Sequence, residues 1–326
     1  MQNKIFNVYY NWWKNIDKLL LSVIIILFLL GLFFSFVSTS IIASDKLGTN
    51  SYYFFFKHFI YIIIATFIYL LISMMKQSDL IKFCIFFCII AIFFLFLVPF
   101  IGTEVKGSKR WIDLFFLPRF QPIEIVKPFV IVTLGVLLTM EKIKNSYLKY
   151  LISFFLIFPI ILLLILQPDI GQTLLIFMIW LSLIFISGVN LFLFSFFFIL
   201  IGLVLSYLIF FVSKFEYIKI RIISFMNPSS NNNYQSEKAS EAITNGGLLG
   251  KGIGEGKLNS KIPEAHTDYI ISVISEEFGA IVVILIMLIY LFFAYKVMKK
   301  IDEENDNKIK IILLGCIFLI LIQSFI

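Results

Sequence analysis

Apolar runs of about twenty residues recur along the whole of this chain, separated by short polar stretches that carry many of its lysines. A helix of ~20 apolar residues is what crosses the hydrocarbon layer of a bilayer. Inside that layer every backbone polar group must be bonded within the protein, so only helices and closed barrels span it. Nine such runs are read, at 19–37, 54–74, 81–100, 122–140, 150–166, 170–188, 191–213, 268–298 and 309–326. Gln167-Pro168-Asp169 divides the fifth from the sixth, because proline removes a backbone donor and breaks the helical ladder. Gly188-Val189-Asn190 separates the sixth from the seventh. The expected fold class is therefore an all-α polytopic membrane protein, a single integral domain over 1–326. A long loop, 214–267, joins its seventh and eighth helices. Composition agrees: 60% of residues are hydrophobic and 14% charged, more apolar surface than a soluble core of 326 residues needs.

The net charge of +7 reports cytoplasmic loops and anionic head groups rather than a nucleic-acid partner. Lysines cluster in the N-terminal tail (Lys4, Lys14, Lys18) and after the second span (Lys76, Lys82). They cluster again after the fourth (Lys142, Lys144, Lys149) and after the eighth (Lys299, Lys300, Lys308). All four groups share one face if the N-terminus is cytoplasmic, which puts 214–267 outside. One loop resists. Gly102–Gln121 falls outside yet carries Lys106, Lys109, Arg110 and Arg119. Either it faces an anion, or Arg110 and Trp111 anchor it at the interface. Cys84, Cys88 and Cys316 all lie in apolar runs, where they act as small hydrophobes. The polar start Met1–Lys18 leads into a full-length span, so no cleavable signal peptide is evident. The last span stops flush at Ile326, and the expectation is a chain cut before a further helix.

Four polar segments interrupt this apolar background. Ionisable groups at the rim of a membrane are costly and mark function by default. Gln121-Pro122-Ile123-Glu124 has the spacing of a capping box, with proline at the first helical position. Capping does not account for Lys127 one turn deeper, and a buried Glu–Lys pair is weak evidence of stabilisation, so the pair points to a polar cavity. Asp169 suits the start of the sixth helix as a cap, and the same carboxylate can hold a cation such as Arg110 or Lys127. Gly246-Gly247-Leu248-Leu249-Gly250-Lys251-Gly252 is rich enough in glycine to wrap a phosphate. It lacks the Ser/Thr after lysine that a nucleotide-binding loop requires, and no strand precedes it. Two readings stay open: a flexible hinge, and an irregular loop over the outer mouth that wraps a phosphate. Pro263-Glu264-Ala265-His266-Thr267-Asp268 closes the long loop. Asp268 is placed to act as a general base, to couple an ion in transport, or simply to cap the eighth span. Glu276 and Glu277 follow inside that span, and three acids exceed what a cap needs.

Taken in order, these segments resemble the SEDS family of cell-wall polymerases (shape, elongation, division and sporulation). The matching stretches are 106–114, Gln121 to Glu124 with Lys127-Pro128, Gln167-Pro168-Asp169-Ile170-Gly171, and Tyr234-Gln235. Gly246 to Gly252, Pro263 to Asp268 and Glu276-Glu277-Phe278-Gly279 complete the set. Ala265 before the histidine, and no aromatic insertion at 252–256, favour the division branch over the elongation branch. The resemblance implies a bundle of ten spans, of which about nine are present. The family's closing Leu-Pro-rich loop and tenth helix are missing after Gln323-Ser324-Phe325-Ile326. It implies glycan polymerisation from lipid II at the septum, in the bacterial cytoplasmic membrane. The implied partners are undecaprenyl-pyrophosphate-linked glycan, a class B penicillin-binding protein transpeptidase and other division proteins. The family's catalytic aspartate falls on Asp268. Lys109, Arg110 and Lys251 are the candidates for the pyrophosphate. Glu124, Lys127, Asp169, Gln235, Glu264, His266 and Glu277 are the supporting residues. No organic cofactor is implied; a divalent cation, Mg or Mn, is compatible with a pyrophosphate leaving group. A lipid II flippase, an elongation-type polymerase and a non-enzymatic division scaffold are the competing readings.

Overall fold

The structure is a computed structural model that describes residues 10, 12–46, 52–105, 108–114, 118–216, 219–220, 223, 234–256, 258 and 269–325. Among the described residues there are nine helices of seventeen residues or more, the number expected. They are α1 Lys18–Lys46, α2 Tyr53–Ser73, α3 Gln77–Ile101, α4 Pro122–Leu138, α5 Ser146–Leu166, α6 Ile170–Ile186 and α7 Leu191–Phe211, with α10 Ala280–Glu303 and α11 Asn307–Phe325 near the C-terminus. Between these two groups lie the shorter α8 Tyr234–Gly246 and α9 Ile270–Phe278. Seven of the helices are long and apolar enough to cross a membrane, and α6 is a shorter apolar helix. Large apolar side chains stand on their outer faces: Phe67 is 61% exposed, Phe155 64% and Phe192 82%. Apolar surface on that scale has no place in water. The protein is an all-α, multi-pass membrane protein.

The chain forms two compact units, which are described separately. The first holds α1, α2, α8, α9 and α10 as far as Phe293. In it α1 packs on α2 and on α9, and α8 packs on α9. Phe33 and Phe34 of α1 meet Phe278 of α9, with ring centroids 5.7 and 5.5 Å apart. The second unit holds α3 to α7, the end of α10 from Ala294, and α11. Its centre is α4, which packs against α3, α5, α6 and α11. The buried residues Ile131, Leu134, Ile176, Trp180 and Leu183 belong to one core there. Two glycines let α11 approach closely. A Cβ on Gly135 would lie 2.5 Å from Ile312 Cγ1, and one on Gly315 would lie 2.7 Å from Ile131 Cγ2. Membrane helices associate through such small-residue contacts, since burial against lipid offers no hydrophobic gain.

Both expected breaks occur. α5 ends at Leu166 and α6 begins at Ile170. α6 ends at Ile186, and Asn190 opens α7 by accepting the backbone N–H of Phe192 at 2.9 Å. Two expectations fail in detail, and one loop is more ordered than its sequence suggests. The run 268–298 is not one helix, because Gly279 (φ +84°) separates α9 from α10. The loop 102–121 contains a small antiparallel hairpin, β1 Thr103–Val105 with β2 Ser108–Trp111. The capping box at Gln121 is not formed, since Gln121 makes no side-chain cap and both side chains bond elsewhere.

Candidate functional site

A polar network lies at one end of the second unit, where α3 and α5 finish, α4 and α6 begin, and α11 finishes. The hairpin carries Arg110 to it. The Arg110 Nη2 group donates to the Pro168 carbonyl at 2.6 Å, and Nε lies 3.6 Å from Asp169 Oδ2. Asp169 is also the N-cap of α6, accepting the Gln172 backbone N–H through Oδ1 at 3.4 Å. Its Oδ2 accepts the Gln121 side-chain amide at 3.1 Å. One carboxylate therefore caps a helix and holds a cation. Burial raises the Asp169 pKa above the ordinary carboxylate range and outweighs the lowering by Arg110, the Gln172 N–H and the Gln121 amide; nearby Glu124 adds to the rise.

The second half of the network sits one turn along α4. Lys127 is 1% exposed, and its Nζ lies 2.6 Å from Oε2 of the half-exposed Glu124. The ammonium is off the angle of a hydrogen bond, so the contact is an ion pair. Glu124 Oε1 accepts the Gln172 side chain at 3.0 Å, and Oε2 accepts Gln323 at 3.1 Å. Gln172 joins the halves, with its backbone on Asp169 and its amide on Glu124. Neither Gln172 nor Gln323 was singled out as a site residue. The available signal was a lone amide in an otherwise apolar helix, where a polar side chain needs a partner.

The four cations of the 102–121 loop are partly answered by acids. Arg110 meets Asp169, and Arg119 lies 3.4 Å from Asp113 with both exposed. Lys109 is exposed and stands opposite Glu104 in the hairpin register. Lys106 lies outside the described residues.

A second arrangement lies in the first unit. The glycine-rich segment wraps the end of α9. Lys251 N–H donates to the Glu276 carbonyl at 2.9 Å, and Gly252 N–H donates to the Glu277 carbonyl at 3.0 Å. Ala280 N–H returns to the Gly247 carbonyl at 2.9 Å. These amides satisfy helix-terminal carbonyls, so the N–H groups of Lys251 and Gly252 are spent and do not cradle an anion. The glycines are there for close approach. A Cβ on Gly246 would lie 2.0 Å from the Ser275 carbonyl oxygen, and one on Gly279 would lie 2.2 Å from that of Leu248. Glu276 is fully buried, and its Oε1 accepts Asn245 Nδ2 at 3.3 Å and Leu258 N–H at 3.2 Å. Glu277 is buried beside it, and the Lys251 side chain is exposed.

The structure thus brings Arg110, Glu124, Lys127 and Asp169 together, and separately ties Glu276 and Glu277 to the glycine-rich turn. Glu264, His266 and Asp268 lie outside the described residues, as does the side chain of Gln235 in the first turn of α8. Among the described residues no three His, Cys, Asp or Glu side chains gather to hold a metal ion.

The raised pKa of Asp169 has a signed consequence. Folding disfavours its ionised form, so its contribution to stability is fully present below the unfolded value of about 3.9 and is lost as pH rises through the folded value. Asparagine caps a helix as well as aspartate does. Asp169→Asn is therefore expected to melt no lower than wild type near pH 7, and wild type to gain on it as pH falls toward 4. Melting curves of both proteins at the two pH values check this.

Similarity extends over nearly the whole chain. The profile of the cell cycle protein family that groups FtsW, RodA and SpoVE matches residues 17–326. The probable peptidoglycan glycosyltransferase FtsW of Caulobacter vibrioides is 31% identical over 296 residues, covering 90% of this chain and 75% of that protein. The protein of the same name from Buchnera aphidicola (Schizaphis graminum) is 33% identical over 287 residues, covering 83% and 78%. Among solved structures, one of a peptidoglycan synthase complex that coordinates polymerization and crosslinking matches with a TM-score of 0.75 at 21% identity, over 95% of this chain and 85% of that one. The rod shape determining protein RodA of Thermus thermophilus matches with a TM-score of 0.66 at 19% identity, over 96% and 84%. In fold and in sequence, the chain belongs to the FtsW, RodA and SpoVE family of cell cycle proteins.

Proposed function

We propose that this chain is a peptidoglycan glycosyltransferase that polymerises lipid II on the outer face of the cytoplasmic membrane, at the division septum. The observation that carries the reading is the Arg110–Asp169 and Lys127–Glu124 network, which gathers motif residues far apart in sequence at one end of a helix bundle. Ionisable side chains buried at the rim of a membrane are costly unless they serve a polar ligand. Relatives named as glycosyltransferases at about a third identity support the same activity.

In this reading Asp268 takes the proton from the 4-hydroxyl of the acceptor sugar on lipid II. The freed oxygen attacks the anomeric carbon of the growing strand. The bond from that carbon to the pyrophosphate breaks, and undecaprenyl pyrophosphate leaves. Attack from the opposite face inverts the centre and yields a β-1,4 link. Cations stabilise the charge growing on the leaving group. Arg110, whose side chain is 31% exposed, has N–H groups to spare beyond Pro168 and Asp169. Lys109 and Lys251 are exposed and free to approach from the aqueous side. Glu264 and His266 support the base, Gln235 supports the loop, and Glu276 and Glu277 hold the helix that follows it. The N-terminus is cytoplasmic, by the lysine distribution. The partner is a class B penicillin-binding protein, as a polymerase coupled to crosslinking requires.

The buried charges would equally suit a lipid II flippase. Purified protein incubated with labelled lipid II separates the two: glycan strands support the polymerase, and translocation of intact lipid II supports the transporter. Lys127→Met supplies a second check. It removes a buried cation and leaves Glu124 half exposed and rehydrated, so little stability is lost. Strand formation is expected to fall by up to about 100-fold, the scale of a site displaced by an ångström. An unchanged rate together with an unchanged melting temperature would remove Lys127 from the site.

A further inference from the structure

The helices that build the polar network also end at the opposite side of the second unit. There α4 and α6 finish, α5 and α11 begin, and the four ends surround a cavity of about 1160 Å³. Lys142, Lys149, Lys308 and Lys310 line it, against two carboxylates, Glu141 and Asp306. Asp306 is already taken, 3.4 Å from Lys308. Among the described residues, Lys142, Lys149 and Lys310 have no carboxylate at ion-pairing distance. Lysines that serve only to keep a loop in the cytoplasm point outward and are solvated. Here Lys149, Lys308 and Lys310 are half-buried around one hollow, and like charges held together there repel unless a counter-charge enters. Below the lysines the wall is apolar, with Leu138 and Ile311 both buried.

We propose that this cavity binds a phosphate-bearing anion at the membrane surface, and that the ligand is the headgroup of an anionic phospholipid. The cationic rim matches the phosphate and the apolar wall matches the glycerol and acyl end. Basic hollows between membrane helices at the level of the head groups are suited to such lipids, with each cation near the surface contributing about a factor of five in affinity. The site lies at the other end of the unit from the network, and nothing in the glycosyl-transfer reading requires it.

The test uses the full chain in nanodiscs of phosphatidylcholine carrying increasing phosphatidylglycerol, with bound lipid counted by native mass spectrometry. Wild type is expected to retain phosphatidylglycerol over phosphatidylcholine. Lys149→Gln with Lys310→Gln is expected to weaken that preference on the order of 30-fold. Lys142→Glu is a substitution at an exposed position that leaves packing untouched, and it should weaken binding by at least about five-fold. Lys149→Arg with Lys310→Arg should restore it. Retention that resists millimolar inorganic phosphate assigns the site to lipid. Retention displaced by inorganic phosphate keeps the anion site and assigns its occupant to the aqueous phase. Equal retention by wild type and Lys142→Glu would overturn the proposal. So would binding of a polyglutamate peptide with no effect of either phosphate source.

Discussion

Asp268→Asn is expected to cut glycan polymerisation by orders of magnitude while leaving the protein folded and membrane-inserted. Asparagine keeps the size and polarity of the side chain, but it cannot accept a proton at neutral pH. General-base catalysis contributes about 10² to 10⁴ in rate, and a residual rate in that range below wild type is the expected result. Lipid II should still bind, because the cations and the network around Asp169 are untouched. Asp169→Asn is the matched control, since it makes the same exchange at the carboxylate that caps α6. Under the proposed roles the first variant loses turnover, and the second perturbs the position of Arg110 without removing the base.

Gly250→Ala is expected to have the largest effect on folding. The residue has φ +79°, a region that costs an L-residue roughly 1–2 kcal/mol. The added Cβ would stand 2.2 Å from the Glu277 carbonyl oxygen and 2.7 Å from the Gly279 nitrogen. Both are backbone atoms, so no side chain can swing aside, and overpacking of this kind costs a further ~1–3 kcal/mol. The turn must then lift off the end of α9, exposing the carbonyls of Glu276 and Glu277. The expected outcome is a markedly lower melting temperature and faster proteolysis between α8 and α9. Gly171→Ala is the control. It lies in the first turn of α6 with no heavy atom within 4 Å of its would-be Cβ, and alanine is favoured over glycine in a helix by about 0.5–1 kcal/mol.

Much of this was legible in the sequence because apolar run length and proline position act locally. The breaks at Gln167-Pro168-Asp169 and Gly188-Val189-Asn190 follow from residues that end helices wherever they occur. The double use of Asp169 was legible for a similar reason: a carboxylate at a helix start needs no distant partner, and the basic loop offered one. The break at Gly279 was not legible, since a lone glycine in an apolar run is usually tolerated. It is the return of the chain at 246–252, with Ala280 bonded to Gly247, that demands the left-handed backbone there. The same docking turned an apparent phosphate loop into a helix cap. Nor did spacing reveal that Gln121 and Glu124 would abandon the capping box. Their partners, Asp169, Gln172 and Gln323, come from other helices, and only tertiary packing brings those together. The hairpin at 103–111 was hidden because its strands are too short to show alternation.

The most direct measurement of the central claim is the release of undecaprenyl pyrophosphate from labelled lipid II by the purified protein, with the glycan products sized in the same samples. Wild type is expected to release one undecaprenyl pyrophosphate for every glycosidic bond formed, and Asp268→Asn to do both about 10² to 10⁴ times more slowly while still binding lipid II. Intact lipid II recovered from wild type, or strands made at the full rate by Asp268→Asn, would contradict it.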